Sequence, residues 1–594
     1  APTSTGKSHL FRSLLLQSTG DIIFVVPSRS LLFEYLYVLK EVFKDQHDIF
    51  VQQFIDKVNN LRTRRRIFVV TPERAMELFK FKEKFNISYF VFDEAQISEE
   101  LVRGVTFDAL VRRIEIKYPN VKKIFAHPFI ENPKAQLLKH KLDGEGILYK
   151  QAVVGKQYIE FKKSNEVFYL FSPFKKEGHK VAYKKKLDFD YVSRSLNNNK
   201  KLLIYISKQS IISSTFVNEF SKYIDLCEDL EDKFALSLIE EIRSFIGDAS
   251  GKSVMLNLLK KGIVIHHGSI PLVVRSLLEK FTTAGHAKIC FSTSTLLQGV
   301  NMPFDVVWVY NHRFSGDEEN RVLGLKNLIG RAGRSSKQNG NFDIGAVIVN
   351  DPKKVKEELN KKTYLAEKSI LDDDKKNSED SVIKEFVDSI KDDNFNDDYK
   401  LPEKRIDRLR SIEVMSCVEF ILDNIFIGNR IITAKDYKKF KRAKRDRVKK
   451  SFGIIFEKSL GRGLKRGEKT ILSKSITILL WHIQGRYLYL ADQDKRDELK
   501  AKLGQKDISK EEYDEKLNKA PFAYSAAANT IPNSKLSGFI NNAFKGQSYD
   551  TFNYDLLVYD TYDYLDKVIS FSLSDVYSTV FDIYFEESND KRSL

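Results

Sequence analysis

Two tandem α/β domains with parallel sheets, followed by a mainly α-helical C-terminal region, are the fold that this sequence predicts. Short, nearly continuous apolar runs alternate with helical patterns through the first 352 residues. This alternation is typical of parallel strands that helices cover on both faces. It occurs twice, in segments of about 150–200 residues, which is the usual size of a domain.

The predicted strands form two groups. The first domain, residues 1–160, has apolar runs at 21–26, 66–70, 89–92 and 123–126. The second domain, residues 161–352, has apolar runs at 201–206, 262–265, 288–292, 306–310 and 346–349. No apolar run comes before the first helical pattern, so we expect the first strand of the first domain to be missing.

The remainder of the chain has a different composition. Residues 353–400 are rich in Lys, Asp, Glu and Asn, which predicts a solvated, charged linker with some helix. Residues 401–594 are predicted to form the helical C-terminal region, as the pattern at 405–425 indicates. The sequence contains no apolar stretch of about 18 residues, so we expect no membrane-spanning helix.

Composition narrows the classes of function. Lysine and arginine number 98 against 81 acidic residues, a net charge of +17. This balance favours a polyanionic partner, although a solvated basic surface explains it equally well. The three scattered cysteines, Cys227, Cys290 and Cys417, fit neither a disulfide framework nor a metal site. We therefore expect a reducing compartment and, without a signal peptide, a cytoplasmic protein, or a nuclear one in a eukaryote.

The first eight residues match a phosphate-binding loop, except that alanine stands where the first glycine is usual. Such a loop turns backbone N–H groups towards a phosphate, with a lysine on the outer phosphates and a hydroxyl on Mg²⁺. We expect ATP to contact Thr3, Gly6, Lys7 and Ser8, and Ser8 to bind Mg²⁺ as well.

A second Gly-Lys-Ser triplet at residues 251–253 limits what the first one proves. Such a triplet occurs by chance in roughly a third of chains of this length. No apolar strand precedes this second copy, so we interpret it as the start of a helix or a loop. The first copy therefore needs support from other motifs.

Charged residues at two further positions give that support. Asp93 and Glu94 directly follow a predicted strand, where ligands bind in parallel sheets. Asp93 would hold Mg²⁺ and Glu94 would orient and deprotonate the attacking water. In the second domain, Arg331 and Arg334 could neutralise charge on the γ-phosphate across a cleft. Taken singly, a solvated acidic pair and a basic surface loop explain these residues equally simply.

In this order and spacing, the motifs resemble those of superfamily 2 helicases, and within them the Ski2-like family, here with the box Asp-Glu-Ala-Gln. The resemblance covers residues 1–334 and rests on further segments at 27–31, 71–74, 266–269, 292–296 and 299–303. It implies two RecA-like domains, ATP and Mg²⁺ as cofactors, and a C-terminal region that is possibly winged-helix or ratchet-like. The partner that it implies is single-stranded or tailed RNA or DNA, with room for a protein partner in a larger complex.

The resemblance also assigns residues. It implies ATP contacts at Gly299 and Asn301, a catalytic role for Gln96, and contacts to nucleic acid at Arg29, Thr71, His267 and Thr293. Thr71 suits this role because a hydroxyl and a helix N-terminus can both meet a phosphate, while the same residue can cap the helix before Pro72.

Three positions depart from the family pattern. His127-Pro128-Phe129 replaces the usual Ser-Ala-Thr, whose hydroxyls help to couple the nucleotide site to domain movement. Gln96 stands where histidine is common, so it can form hydrogen bonds but cannot titrate near neutral pH. Asn327 replaces a glutamine and reaches one methylene less far.

Two segments leave alternatives open. Residues 306–323 lie where Ski2-like helicases carry a strand-separating hairpin, and a small hairpin or a plain connector fits them equally. Residues 438–450 contain nine basic residues and one acid, which is either a solvated face or a contact to nucleic acid.

The function predicted from these motifs is an ATP-dependent helicase or translocase that moves on single-stranded nucleic acid, in the 3′-to-5′ direction by resemblance. A clamp or scaffold that binds nucleic acid with weak ATPase activity and little unwinding is the alternative, because the coupling motif is altered. An ATPase that acts on another protein is a third hypothesis.

Overall fold

The computed structural model describes residues 7–56, 63–81, 85–100, 103–149, 154–174, 184–246, 248, 251–294, 302, 304–314, 316–333, 344–373, 381–427, 430–432, 434–464, 468–469, 472, 475–476, 501–502, 504–505, 509–510, 554–563, 573–588 and 590. All structural statements below concern these residues. The chain divides into two compact units. Unit 1 contains Ala1–Leu236, Leu258–Gly268 and Arg275–Lys391, and unit 2 contains Ser237–Asn257, Ser269–Val274 and Asp392–Leu594.

Unit 1 contains two α/β domains. In the first, a parallel sheet has the strand order β2-β3-β1-β4-β5. Its strands are β1 Asp21–Val25, β2 Ile49–Gln52, β3 Arg65–Val70, β4 Ile87–Phe92 and β5 Lys122–Phe125. All four strands predicted for this domain are present, and β2 is additional. The central strand β1 is buried along its whole length, because it lies between β3 and β4 and helices pack on the sheet.

The second domain has a sheet of order β10-β11-β9-β12-β13-β6-β7-β8. The pairs from β10 to β6 are parallel, and β6, β7 and β8 are antiparallel. The predicted domain boundary at residues 160–161 lies inside β6, which pairs with β13 of the second sheet. The strands are β6 Lys156–Lys162, β7 Val167–Phe171, β8 Lys184–Lys186, β9 Leu202–Tyr205, β10 Ile263–His266, β11 Ile289–Ser292, β12 Val306–Val309 and β13 Gly345–Val349.

Helices connect the strands of both domains, and several begin at a residue whose side chain caps the first turn. Ser28, Asp190, Ser207, Asp317 and Asp351 each accept a hydrogen bond from the backbone N–H three residues later. The helices are α1 Lys7–Gln17, α2 Arg29–Val42, α3 Pro72–Ala75, α4 Arg103–Lys117, α5 Ala135–Lys139, α6 Tyr191–Asn197, α7 Lys208–Ile212, α8 Thr215–Glu219, α9 Ser221–Ile224, α10 Lys233–Ile246, α11 Val254–Lys260, α12 Leu272–Thr283, α13 Glu318–Gly330, α14 Pro352–Asn360 and α15 Ser381–Lys391.

The interval considered for a strand-separating hairpin is not a hairpin in the described residues. Its first part is β12, which pairs in parallel with β9 and β13. Its second part, from Glu318, is helical because Asp317 caps the first turn of α13. A plain connector to a helix therefore fits this interval.

The segment that we predicted as a charged linker is packed in part on the first domain. The 3₁₀ turn Ile370–Asp372 and α15 follow α14. Ile370, Leu371 and Val387 share a small apolar core with Val105 and Ala109 of α4. The linker's charged composition therefore hides a few apolar side chains that attach it.

Unit 2 is mainly helical in its described part. Its core includes Val418 and Leu422 of α17, Phe452 and Ile455 of α19, and Val580 of α21. Two short antiparallel pairs, β14 with β15 and β16 with β17, lie beside the helices. The elements are β14 Phe395–Asn396, β15 Leu401–Pro402, α16 Glu403–Leu409, α17 Ile412–Ile425, β16 Phe426–Ile427, β17 Arg430–Ile431, α18 Ala434–Lys439, α19 Arg442–Leu460, α20 Tyr554–Asp563 and α21 Ser574–Glu587.

None of the helices in the described part of the chain is long and apolar enough to span a membrane. A winged-helix or ratchet-like character for the C-terminal region stays a prediction.

The second Gly-Lys-Ser triplet starts a helix, as expected. Ser253 lies directly before α11, and its hydroxyl accepts a hydrogen bond from Leu256 N at 3.1 Å. The backbone N–H groups of Lys252 and Ser253 donate to the two carboxylate oxygens of Asp248 at 2.9 and 3.0 Å. Ser253 also donates to Asp555 at 2.6 Å. Two carboxylates of the chain itself therefore take the place that a phosphate has in a true phosphate loop.

Candidate nucleotide site and nucleic-acid interface

The phosphate loop is described only at its end. Lys7 and Ser8 open α1, whose buried residues Phe11 and Leu15 pack against the first sheet. Nothing is described of the side chains of Lys7 and Ser8. Five predicted site residues lie outside the described part of the chain: Thr3, Gly6, Gly299, Asn301 and Arg334.

Asp93 lies at the carboxyl end of β4, as predicted, and is 6% exposed. Its Oδ2 accepts a hydrogen bond from the Tyr35 hydroxyl at 2.7 Å, and its Oδ1 accepts one from Glu94 N at 2.9 Å. Its own backbone N–H donates to Val25 O at 3.0 Å, at the end of the neighbouring strand β1. The carboxylate is therefore fixed in orientation by α2 and by its own turn.

Glu94 and Gln96 are joined in the turn that follows. Glu94 has a left-handed backbone, with φ of 50° and ψ of 44°, which is uncommon for a residue other than glycine. Gln96 Nε2 donates to Glu94 Oε2 at 2.6 Å. The buried Gln96 Oε1 accepts no hydrogen bond within the described part of the chain. The amide therefore orients the carboxylate that we predicted as the base, without carrying charge itself.

The predicted arginine pair is described at its first member. Arg331 is the C-cap residue of α13, and Asn327 lies in the last turn of that helix and is 7% exposed. Next to it, Gly333 has φ of 70° and donates to Phe304 O at 2.7 Å. A Cβ at Gly333 would lie 2.6 Å from Gly345 N, so only glycine fits this turn.

Two predicted nucleic-acid contacts lie near the carboxyl ends of β1 and β3. Arg29 is the first residue of α2, and Thr71 precedes Pro72 at the start of α3. Thr71 occupies the expected N-cap position, but its side chain makes no capping hydrogen bond. Its hydroxyl therefore remains available to another acceptor or donor, such as a phosphate.

Arg103 is a residue that sequence reasoning missed. Its guanidinium donates to Pro27 O and forms an ion pair with Glu73, Nε to Oε1, at 3.5 Å. It thus joins the segment before Arg29 to the helix after Thr71. A single arginine at the start of α4 carries no sequence signal for this role, because its two partners are 76 and 30 residues earlier in the chain.

The other two predicted contacts are buried. His267 is 0% exposed and Thr293 is 7% exposed, near the ends of β10 and β11. Burial, then the charges of Lys208, His266 and Arg275, lowers the pKa of His267 well below its usual value of 6.5, so its imidazole is neutral. A phosphate contact from either position would need a backbone group or a rearrangement. The roles of these residues stay predictions.

The described residues suit Mg²⁺ only at Asp93. Mg²⁺ prefers oxygen ligands and keeps several waters or phosphate oxygens around it, so one oriented carboxylate beside a phosphate loop fits its needs. Within the described residues no group of three or more His, Cys, Asp or Glu side chains could hold a metal ion by itself.

Comparison with known proteins adds to this geometry. Residues 1–127 match the model of the DEAD/DEAH box helicase family. The chain is similar to the Hachiman protein HamB of Bacillus cereus, with 26% identity over 379 residues, 56% of this chain and 33% of that protein. It is also similar to the ATP-dependent DNA helicase MER3 of Saccharomyces cerevisiae, with 24% identity over 358 residues, 56% of this chain and 28% of that protein.

A third relative is the ATP-dependent DNA helicase Hel308 of Caldivirga maquilingensis, with 24% identity over 330 residues, 50% of this chain and 41% of that protein. Each of these matches covers less than half of the relative's own length. They concern the same part of the molecule as the motifs, since each covers about half of the chain.

Proposed function

Because this chain belongs to the Ski2-like family of superfamily 2 helicases, we propose that it uses ATP hydrolysis to move along single-stranded RNA or DNA and to displace a paired strand. The observation that carries the proposal is the turn after β4. Asp93 is oriented by Tyr35 and Glu94 by Gln96, so a metal ligand and a candidate base lie side by side. Such positioning is what phosphoryl transfer requires of a protein.

Each candidate residue has one task in this reaction. Asp93 would hold Mg²⁺, which neutralises phosphate charge when bound. Glu94 would accept a proton from the attacking water, and Arg331 would stabilise charge that develops on the γ-phosphate. Binding of ATP would draw the two α/β domains together, and hydrolysis would release them. Arg29 and Thr71 would hold the phosphate backbone of the strand, which makes binding largely independent of sequence.

The direct test is an ATPase assay on the purified chain with single-stranded RNA, single-stranded DNA, and duplexes that carry a 3′ or a 5′ tail. We expect a single strand to stimulate hydrolysis, and a 3′-tailed duplex to be separated faster than a 5′-tailed one. A rate that is unaffected by any nucleic acid would contradict the proposal and favour an ATPase that acts on another protein.

Glu94→Gln is the sharpest variant for the chemical step. It keeps the shape and the bond to Gln96 but removes the base, so we expect hydrolysis to fall by about 10²–10⁴-fold. Binding of a fluorescent ATP analogue should be retained. Equal turnover in the variant and the wild type would remove Glu94 from the mechanism.

The two Gly-Lys-Ser triplets form a matched pair for the nucleotide-binding step. We expect Lys7→Ala to abolish binding of the ATP analogue and Lys252→Ala to leave it unchanged. The reason is that the loop around Lys252 is already filled by the carboxylate of Asp248. Loss of binding in Lys252→Ala alone would place the nucleotide in the wrong loop.

The second candidate is a clamp that binds nucleic acid with little turnover. The observation that favours it is the buried His127, which occupies the position of a coupling hydroxyl and contacts Gln136 Oε1 at 3.2 Å. Tight binding that ATP does not change, together with an ATPase rate near zero, would select the clamp. Strand displacement that depends on Glu94 would exclude it.

A further inference from the structure

A short segment after the second domain returns to the first domain and contacts it where the coupling motif is altered. We define it as the strap, residues 361–373, which follows α14 and ends after the 3₁₀ turn Ile370–Asp372. Strap, α13 and first domain all belong to unit 1. The strap therefore has contacts with both sides of one compact unit.

The strap pairs with the first domain directly after His127-Pro128-Phe129. Thr363 and Ile130 form a parallel β-bridge, and Glu131 N donates to Thr363 O at 3.0 Å. Two residues later, Asn132 exchanges two hydrogen bonds with Leu365: Leu365 N donates to Asn132 Oδ1 at 2.8 Å, and Asn132 Nδ2 donates to Leu365 O at 3.0 Å. The strap is thus held there by backbone and side-chain bonds.

One of these bonds meets a strained residue. The Thr363 hydroxyl donates to Phe129 O at 2.5 Å. Phe129 has φ of 53°, a left-handed conformation that a bulky side chain adopts only where its surroundings impose it. Thr363 therefore helps to hold the altered motif in its conformation.

The strap is attached to α13 as well. Lys326 Nζ donates to Lys361 O at 2.5 Å, and Lys361 forms an ion pair with Glu318 at the start of that helix. Leu323 of α13 packs with Ile130 of the first domain and Leu365 of the strap in one apolar cluster. The helix that ends at Arg331 is therefore joined to the altered motif through the strap.

A buried polar chain fixes the far end of the strap. Asp108 Oδ2 accepts hydrogen bonds from the Ser369 hydroxyl at 2.6 Å and from Ile370 N at 3.3 Å. Asp108 Oδ1 lies 3.4 Å from His140 Nε2, and Gln136 lies between His140 and His127 at 3.1 and 3.2 Å. The histidine that replaces a coupling hydroxyl is thus in contact, through four side chains, with the strap.

We propose that the strap is the positioning element that couples the nucleotide site to domain movement in this chain, in place of the usual Ser-Ala-Thr hydroxyls. It sets how α13, and with it Arg331, approaches the first domain. Thr363 is a positioning residue in this scheme, since it acts through Phe129 and not on the nucleotide. The inference rests on the proposed function and says how its two halves are linked.

The test compares three variants at one position with a control elsewhere. Thr363→Val keeps the shape but removes the donor, Thr363→Ser keeps the donor, and Thr363→Ala removes both. Thr283→Val changes an exposed threonine at the end of α12 and is the matched control. The quantity measured is the number of ATP molecules hydrolysed per strand displaced, together with kcat and KM for ATP.

We expect Thr363→Val and Thr363→Ala to raise this ratio by about fivefold or more, the lower end of typical coupling free energies, with KM for ATP unchanged. Thr363→Ser and Thr283→Val should match the wild type. An unchanged ratio in Thr363→Val, or a fall in hydrolysis that is proportional to the fall in unwinding, would overturn the inference.

Hydrogen exchange separates failure of the inference from failure of the proposed function. A non-hydrolysable ATP analogue should slow exchange of the amides at residues 365–371 in the wild type and leave it unchanged in Thr363→Val. If the wild type neither hydrolyses ATP nor displaces strands, the proposed function fails. If it does both and the analogue has no effect on the strap, the strap has no part in coupling.

Discussion

The carboxylate of Asp93 shows what a sequence can and cannot predict about one residue. Its place at the end of β4 follows from the apolar run before it, because a buried parallel strand delivers its next residue to the ligand-binding edge. The group that orients it, Tyr35, lies 58 residues earlier on the buried face of α2. Nothing in the pattern of that helix distinguishes Tyr35 from an ordinary core residue, so only the fold reveals the pair.

Tyr35→Phe tests whether that hydroxyl tunes the metal site. The ring would keep its contact with Phe24, whose centroid is 4.4 Å away, so the fold should persist. We expect the Mg²⁺ concentration for half-maximal ATPase to rise about tenfold, because groups that orient a metal ligand typically contribute 10–100-fold in affinity. Tyr37→Phe, at a side chain on the same helix that is 70% exposed, should have no effect. Identical Mg²⁺ curves for the two variants would refute the orienting role.

At the scale of elements, the predictions held where burial left a pattern. The apolar runs of β1, β4, β9 and β13 predicted strands because parallel strands are covered on both faces. The strand β8 was missed because its three residues are all lysine and all exposed, so no hydrophobic pattern marks it. The strap was missed for the related reason that few apolar side chains in a charged segment attach it.

The helix α19 carries much of the basic run that the sequence left ambiguous. Its buried residues, including Val448 and Ile455, hold one face in the core of unit 2, while the first turn carries basic and no acidic residues. Positive charge at a helix N-terminus opposes the helix dipole, so this arrangement costs stability. A polyanion at this surface would offset that cost, which favours a contact to nucleic acid over a merely solvated face.

The double variant Arg442→Ala and Lys450→Ala tests this surface. Both side chains are exposed, and the Arg442 ion pair with Asp446, at 3.8 Å, is weak, so folding should be unaffected. In anisotropy titrations at several salt concentrations, we expect weaker binding of single strands and a salt slope reduced by about one to two, since each lost phosphate contact removes about 0.9. Replacing the exposed Lys185 and Lys186 of β8 by alanine is the control of equal charge. An equal loss in both variants would indicate a general effect of net charge.

At the scale of the whole molecule, the chain is interleaved in a way that no local pattern could predict. Unit 2 takes Ser237–Asn257 and Ser269–Val274 from the sequence of the second α/β domain and combines them with the C-terminal region. The bond from Ser253 to Asp555 joins residues 302 positions apart. Hydrophobic periodicity reports only on neighbours along the chain, so domain boundaries drawn from it follow the sequence and miss such an exchange.

The two units should respond to acid in opposite directions. Burial raises the pKa of Asp555 to about 6, so unit 2 should gain as the pH falls from about 6 towards 3.8, by up to about 3 kcal/mol. The lowered pKa of His267 in unit 1 means that the unfolded chain binds that proton more readily below about pH 6.5, so unit 1 should lose stability on acidification. Calorimetry between pH 7.5 and pH 5 should resolve two unfolding transitions that separate. Transitions that move together would contradict this assignment.

The carboxylate of Asp555 has a consequence for deletion mapping. Ser253 and the backbone N–H of Met255 both donate to it, and Tyr554 donates to Ile246 O. Removing the C-terminal region would thus strip α10 and α11 of their partners and expose apolar residues such as Leu256 within the sequence of the motor itself. Loss of activity after such a deletion would report on broken packing as much as on a lost grip on nucleic acid, and point substitutions are the cleaner way to assign roles to that region.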